Sequence, residues 1–305
     1  MILRSYQPTL LTLILLFFFA SCAVSKKMKE TTSQLDKSKE LQKKEALQLS
    51  KIDSSLNEKL SLGRIDSNIS ARVRSKLHRY RDHLELQRSD VNKVDVVLQD
   101  KKVFKKNYKE IIVPLLDSLK RDGDQYAKRM SLYLMTEDGL NISNYYLFDL
   151  AGFFGPGKYV IPENQAREVL HSFSPIFDSI IAFANRYRDV PKTNTLIILG
   201  YADGAGFEEG LPFTDSLTAL INKPVVTKED LNKKLSELRA EELIKHLTYL
   251  FLDKKAELIN FDMIRFEYIG EGKGEAYPFN SITNYTVDDE RRRIVLCYWS
   301  VLPDE

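Results

Sequence analysis

A long interval without proline constrains the fold of this chain most. No proline lies between Pro8 and Pro114, and the interval contains a single glycine, Gly63. From residue 23 to residue 100 the only aromatic side chain is Tyr80, while Lys, Glu, Gln, Ser and Leu dominate. These residue types favour helix and supply too little apolar volume for a compact core. The sequence therefore predicts an extended helical spacer, with coiled-coil character, over residues 22–103.

The apolar residues of this region recur only loosely, because their spacing drifts between four and six residues rather than following heptads. Gly63 either separates two helices of a hairpin or lies within one helix of roughly 120 Å. A solvated spacer is favoured over a coil that forms a homo-oligomer or binds other envelope proteins. The apolar positions are Leu35, Leu41, Leu47, Ile52, Leu56, Leu60, Ile65, Ile69, Val73 and Leu77.

The N-terminus has the features of an export signal. Arg4 precedes an apolar run over residues 10–20, and small residues and Cys22 follow it. The run is too short and ends too abruptly for a good membrane span. The segment FASC resembles a bacterial lipoprotein signal, although Phe19 replaces the usual aliphatic residue. We expect residues 1–21 to be a signal peptide and Cys22 to be lipidated, the alternatives being an ordinary signal peptide or an uncleaved anchor helix.

Composition and the remaining motifs argue against several functions. The 45 basic and 43 acidic residues leave a net charge of only +2, so nucleic acid is not expected as a partner. The four histidines have no zinc-like spacing, and no metal or cofactor is indicated. Glycines at 270–274 are expected to form a turn, because no helix follows to complete a nucleotide loop. Cys297 lies in a predicted strand without a nearby base, so the chain is not expected to be an enzyme.

A compact domain is predicted for the second half of the chain. Connecting helices over residues 104–150 lead to a domain over residues 151–305 with alternating strand and helix patterns. The order of elements predicts an α/β (α+β) sandwich, with helices packed on one face of a small βαβαββ sheet. Strand material is expected within 143–162, 195–199, 263–269 and 293–299, and helices at 163–188 and 228–252.

A carboxylate follows a buried strand in the segment TLIILGYADGAG, which covers residues 195–206. Glycines on both sides of Asp203 allow a sharp turn. Asp203 either caps its own turn or meets a ligand at the end of the strand.

Four motifs together resemble the OmpA-like peptidoglycan-binding domain. They are GYAD at 200–203, NKKLSELRA at 232–240, GKGEAYP at 272–278 and RRRI at 291–294. The resemblance covers roughly residues 153–300 and implies that the domain binds the diaminopimelate of the peptidoglycan stem peptide. By position, the family's binding pair is Asp203 and Arg239, whose opposite charges match a zwitterionic amino acid. The resemblance also implies backbone contacts from Gly204 and Gly206 and support from Tyr201, Asn232, Ser236 and Arg292.

This sequence departs from the family in three places. Tyr201 and Ala202 replace the usual His and Thr, and Arg291 replaces Asn. An insert over residues 207–230 more than doubles the usual separation of the binding pair. The fold is expected to tolerate this insert, because longer loops cost little entropy, but the insert is placed to cover or reshape the pocket. The alternative to ligand binding is a structural salt bridge between the pair.

The sequence thus predicts a lipoprotein of the outer membrane that faces the periplasm. Its lipid at Cys22 would hold the membrane and its domain would hold peptidoglycan without a covalent bond. One alternative is a wall-anchoring subunit of an envelope-spanning secretion or motility machine, with partners on residues 22–103. The other is an OmpA-like fold used only for protein–protein contact.

Overall fold

The computed structural model describes residues 7–149, 154, 158–204, 206–279 and 282–304, with residues 7–22 and 149 described by their backbone alone. The lipidation predicted at Cys22 therefore falls outside the described side chains. Within this part of the chain, no helix combines the length and the apolar character that a membrane crossing requires. The chain divides into two compact units, one formed by residues 1–53 and 74–134 and the other by residues 54–73 and 135–305.

The proline-free region is a helical hairpin. Lys39 Nζ lies 2.6 Å from Asp95 Oδ2, and Arg81 Nη2 lies 3.2 Å from Asp53 Oδ2, so the two helices run antiparallel. Gly63 between them has φ +64°, a left-handed conformation that glycine adopts without steric cost. Of the two arrangements that the sequence leaves open, the hairpin is the one observed. The helices of this half are α1 (Gln7–Ser61), α2 (Ser67–Leu98), α3 (Lys101–Asn107) and α4 (Val113–Ile142), with a π turn at Tyr108–Ile112 before α4.

The first unit has its own small core and a buried polar network. Glu45 on α1 is fully buried, and its carboxylate accepts hydrogen bonds from Arg129 Nη2 at 2.7 Å and Tyr133 Oη at 3.3 Å. Burial and the Glu45 charge raise the pKa of Tyr133. These contacts join α1 to α4, so the helices of this unit stabilise one another. The apolar core consists of Leu35, Val91, Val94, Phe104, Ile112 and Leu119.

The second unit contains a mixed sheet that confirms the predicted α/β fold. Its described strands pair in the order β1-β4-β2-β3, with β2 and β3 parallel and β4 antiparallel to both of its neighbours. The first strand lies before residue 151, where the sequence places the domain boundary. The elements are β1 (Asn144–Asp149), α5 (Glu163–Arg186), β2 (Lys192–Gly200), α6 (Pro212–Ala219), α7 (Lys228–Lys254), β3 (Ile264–Gly272) and β4 (Ile294–Pro303).

The two faces of the sheet are buried by different parts of the chain. Leu196 and Ile198 of β2 join a core cluster with apolar residues of α5 and α7. The alternate residues Ile197 and Leu199 are also buried, on the opposite face. The turn of the helical hairpin belongs to the same compact unit as the sheet, and Arg72 forms an ion pair of 2.6 Å with Glu267 on β3.

Two glycines allow α7 to approach the sheet closely. A Cβ at Gly200, the last residue of β2, would lie under 3.0 Å from the Ser236 carbonyl oxygen. A Cβ at Gly272, the last residue of β3, would make similarly close contacts with the backbone of α7. Because both strands end against the first turns of α7, this helix is fixed with Arg239 beside the end of β2.

Candidate functional site

A pocket of about 540 Å³ lies where β2, the insert and α7 meet. It is larger than the pockets of about 420 and 280 Å³ on the helical bundle. Three cationic side chains and two carboxylates line it, which gives a net charge of +1. The lining residues are Lys158, Asp203, Gly206, Phe207, Glu208, Leu211, Phe213, Thr214, Asn232, Leu235, Arg239 and Arg293.

Arg239 is the buried cation of this pocket. Its side chain is only 2% exposed, its Nε donates a hydrogen bond to the Lys158 carbonyl at 3.0 Å, and its guanidinium lies 5.7 Å from the ring centre of Phe154. Within the described ranges, Arg239 forms no ion pair. Burial lowers the pKa of the Arg239 guanidinium to about 10; Asp203 acts to raise it and Arg293 to lower it. A buried guanidinium without a carboxylate partner favours an anionic ligand.

Asp203 also lines the pocket, but its carboxylate has a protein partner. Arg293 Nε donates a hydrogen bond to Asp203 Oδ2, and the two side chains are 15% and 13% exposed, respectively. The structural alternative from the sequence, an ion pair between Asp203 and Arg239, is therefore not what the structure shows. The partner is Arg293, which the sequence reasoning missed. Arg293 is the last of three consecutive arginines, and no local pattern in the sequence distinguishes it from Arg291 and Arg292.

Arg292, the arginine that the sequence favoured, has a different environment. It is 4% exposed, it donates hydrogen bonds to the carbonyls of Glu275 and Val287, and its guanidinium lies 5.0 Å from the ring centre of Tyr277. Arg292 therefore holds the loop before β4 together and is not among the residues that line the pocket.

Asn232 and Ser236 lie on α7 as predicted, and both bind the turn after β3. Asn232 lines the pocket, and its Nδ2 donates to Glu275 Oε1 at 2.6 Å. Ser236 Oγ accepts a hydrogen bond from the Gly274 N–H at 2.9 Å and donates to the Lys233 carbonyl at 2.8 Å. The hydroxyl of Ser236 is thus occupied, and its contribution is to the position of the turn.

Tyr201, Gly204 and Gly206 have three different environments. Tyr201 is buried and is not among the residues that line the pocket; burial, with a smaller effect of the nearby Asp66, raises its pKa. The backbone N–H of Gly204 donates to the Val287 carbonyl, so this N–H already has an acceptor within the protein. Gly206 does line the pocket, and its Cα has open space around it.

The insert forms a wall of the pocket. Within residues 207–230, α6 and the segments beside it pack on the first turns of α7 through Leu217, Leu231 and Leu235. Phe207 and Phe213 stack with ring centres 6.2 Å apart. The sequence left the role of the insert open; the structure places five of its residues in the pocket lining, namely Phe207, Glu208, Leu211, Phe213 and Thr214. In the described part of the chain, no cluster of three or more His, Cys, Asp or Glu side chains is placed to hold a metal ion.

Several solved structures are similar to about half of this chain. A MotB-like protein from Desulfovibrio vulgaris is 15% identical over 52% of this chain and 73% of its own, with a TM-score of 0.31. The periplasmic domain of Helicobacter pylori MotB is 11% identical over 52% and 76%, with a TM-score of 0.29. An outer membrane protein from Borrelia burgdorferi is 14% identical over 52% and 88%, with a TM-score of 0.21. No family model and no curated protein matches the sequence.

Proposed function

We propose that the pocket beside Arg239 binds the stem peptide of peptidoglycan. The observation that carries this proposal is the Arg239 guanidinium, which is 2% exposed, lines the pocket and has no ion pair within the described residues. A planar guanidinium can bind a carboxylate through two parallel hydrogen bonds, and its burial strengthens the attraction. The motifs that resemble the OmpA-like domain supply the ligand class: diaminopimelate presents a free carboxylate and a free ammonium on one carbon.

The rest of the chain would then connect this domain to the outer membrane. Lipidation of Cys22 would supply the membrane attachment, because the acyl chains bury apolar carbons in the bilayer. The helical hairpin buries much of its apolar stripe within the chain, for example Ile52, Ile69 and Val73. Such a region has less apolar surface left for self-association, which favours a spacer. The protein would therefore tether the outer membrane to the cell wall.

The same wall contact would serve a structural subunit of an envelope-spanning machine. That function requires a protein partner for the helical half, and self-association or a partner captured on this half would support it. An OmpA-like fold used only for protein contact requires a pocket that does not bind wall material. Self-association or partner capture by the helical half distinguishes the first alternative from the tether, and failure to bind wall material distinguishes the second.

Co-sedimentation with purified peptidoglycan sacculi tests the proposal. The full chain in mild detergent should sediment with sacculi. Arg239→Met should reduce the bound fraction at least tenfold, because the ligand carboxylate loses the guanidinium that binds it. Arg188→Met is the matched control, since Arg188 is 58% exposed and outside the pocket lining. Wild-type protein that remains folded in the supernatant would contradict wall binding, and full binding by Arg239→Met would exclude this pocket.

A further inference from the structure

The carboxylate of Asp203 is poorly placed to be the principal partner of a ligand ammonium. Arg293 already donates to one of its oxygens, and both side chains are largely buried. A ligand cation at Asp203 would also approach the positive charges of Arg293 and Arg239, whose charges act on each other. Like charges brought together in a partly buried site disfavour binding.

Glu208 is the other carboxylate that lines the pocket. It is exposed, it lies in the insert, and its carboxylate forms no ion pair within the described ranges. Its backbone is held in place, because the Glu208 carbonyl accepts a hydrogen bond from Thr214 Oγ1 at 2.8 Å at the start of α6. The neighbouring ring of Phe207 stacks on Phe213, which is a second contact between this loop and the start of α6.

We propose that Glu208, and not Asp203, binds the ammonium group of the ligand. This inference depends on the proposed function of the pocket. Arg239 then takes the carboxylate, and Asp203 acts as a positioning residue that holds Arg293. The side chains of Phe207, Leu211 and Phe213 line the same pocket and supply an apolar wall for the aliphatic carbons of the ligand. The insert thus carries the residue that distinguishes a zwitterionic ligand from a purely anionic one.

The ratio of the affinities for a ligand with a free amine and for the same ligand with that amine acetylated tests this inference. Two synthetic probes are compared by calorimetry: Ala-Glu-diaminopimelate with its N-terminal amine acetylated, so that the diaminopimelate amine is the one that remains free, and the same peptide with that amine acetylated as well. Wild-type protein should bind the free amine about fivefold more tightly, because an ion pair at an exposed carboxylate is worth at most about 1 kcal/mol. In Glu208→Gln the two affinities should become equal. In Glu209→Gln, the matched control outside the pocket lining, the fivefold preference should remain.

The Asp203→Asn variant distinguishes the two carboxylates. It should retain the preference for the free amine, even if overall affinity falls because Arg293 loses its partner. A preference that disappears in Asp203→Asn and persists in Glu208→Gln would overturn the inference and leave the proposed function intact. Wild-type protein that binds neither peptide nor sacculi would overturn both. Melting temperatures of all variants establish that a lost preference does not reflect unfolding.

Discussion

Arg239 is a charged residue whose burial is expected to reduce the stability of the fold. Its guanidinium is buried, its pKa is lowered to about 10 by that burial, and no carboxylate pairs with it in the described structure. Charges buried without a partner destabilise a fold, and functional sites commonly retain such groups. The hydrogen bond to Lys158 and the contact with Phe154 offset only part of this desolvation.

We expect Arg239→Met to weaken binding at least tenfold and to stabilise the fold. Methionine fills a similar volume without a charge, so the free energy of unfolding should rise by about 1 kcal/mol. Arg239→Ala should instead lower it, because the aliphatic part of the arginine also packs in the site. Urea unfolding of the two variants and the wild type measures both effects. A loss of stability in Arg239→Met as large as in Arg239→Ala would contradict this account.

At the scale of elements, the position of α7 determines the site. The sequence predicts this helix at residues 228–252, close to the observed Lys228–Lys254, and the structure adds a capping box formed by Thr227 and Asp230. The sequence does not show that Gly200 and Gly272 are needed for close backbone contact with this helix. Without those contacts, Arg239 would not lie beside the end of β2.

Gly200→Ala should therefore displace α7 and disturb both stability and binding. Its Cβ would lie under 3.0 Å from the backbone carbonyl oxygen of Ser236, which cannot move as a side-chain end could. Overpacking of this kind costs about 1–3 kcal/mol. Gly206→Ala is the control, because a Cβ there has nothing within 4 Å and should change the unfolding free energy by less than about 0.5 kcal/mol. Thermal melts of both variants make the comparison, and equal stability would contradict the role of Gly200.

At the scale of the whole molecule, residues far apart in sequence form one unit. The turn of the helical hairpin, residues 54–73, groups with the sheet rather than with the rest of its helices. Arg72 from this segment pairs with Glu267 on β3, which also accepts a hydrogen bond from Thr195 at 3.3 Å. The N-terminal half of the chain thus contributes directly to the domain that contains the pocket.

The Arg72–Glu267 ion pair should make the stability of the pocket-containing unit depend on pH. The hydrogen bond from Arg72 is the main cause that lowers the pKa of Glu267 from its ordinary 4.5. A lowered folded-state pKa means that the stabilisation is complete above the unfolded value and is lost as the pH falls through the folded value. Arg72→Met should lower the melting temperature at pH 7, and the loss of unfolding free energy should stay within about 1 kcal/mol because both side chains are partly exposed. The difference from wild type should shrink below pH 4.5, and a constant difference would indicate packing rather than charge.

The sequence by itself determined the helical half, the order of strands and helices, and the presence of Arg239 on α7, because these depend on local composition, periodicity and short motifs. Tertiary structure alone decided that the first half is a hairpin, that Asp203 pairs with Arg293, and that Tyr201 is buried outside the pocket lining. It also decided that the insert forms a wall of the pocket. Each of these outcomes joins residues that are distant in the chain, and the energy of such contacts depends on packing and burial that no local pattern records.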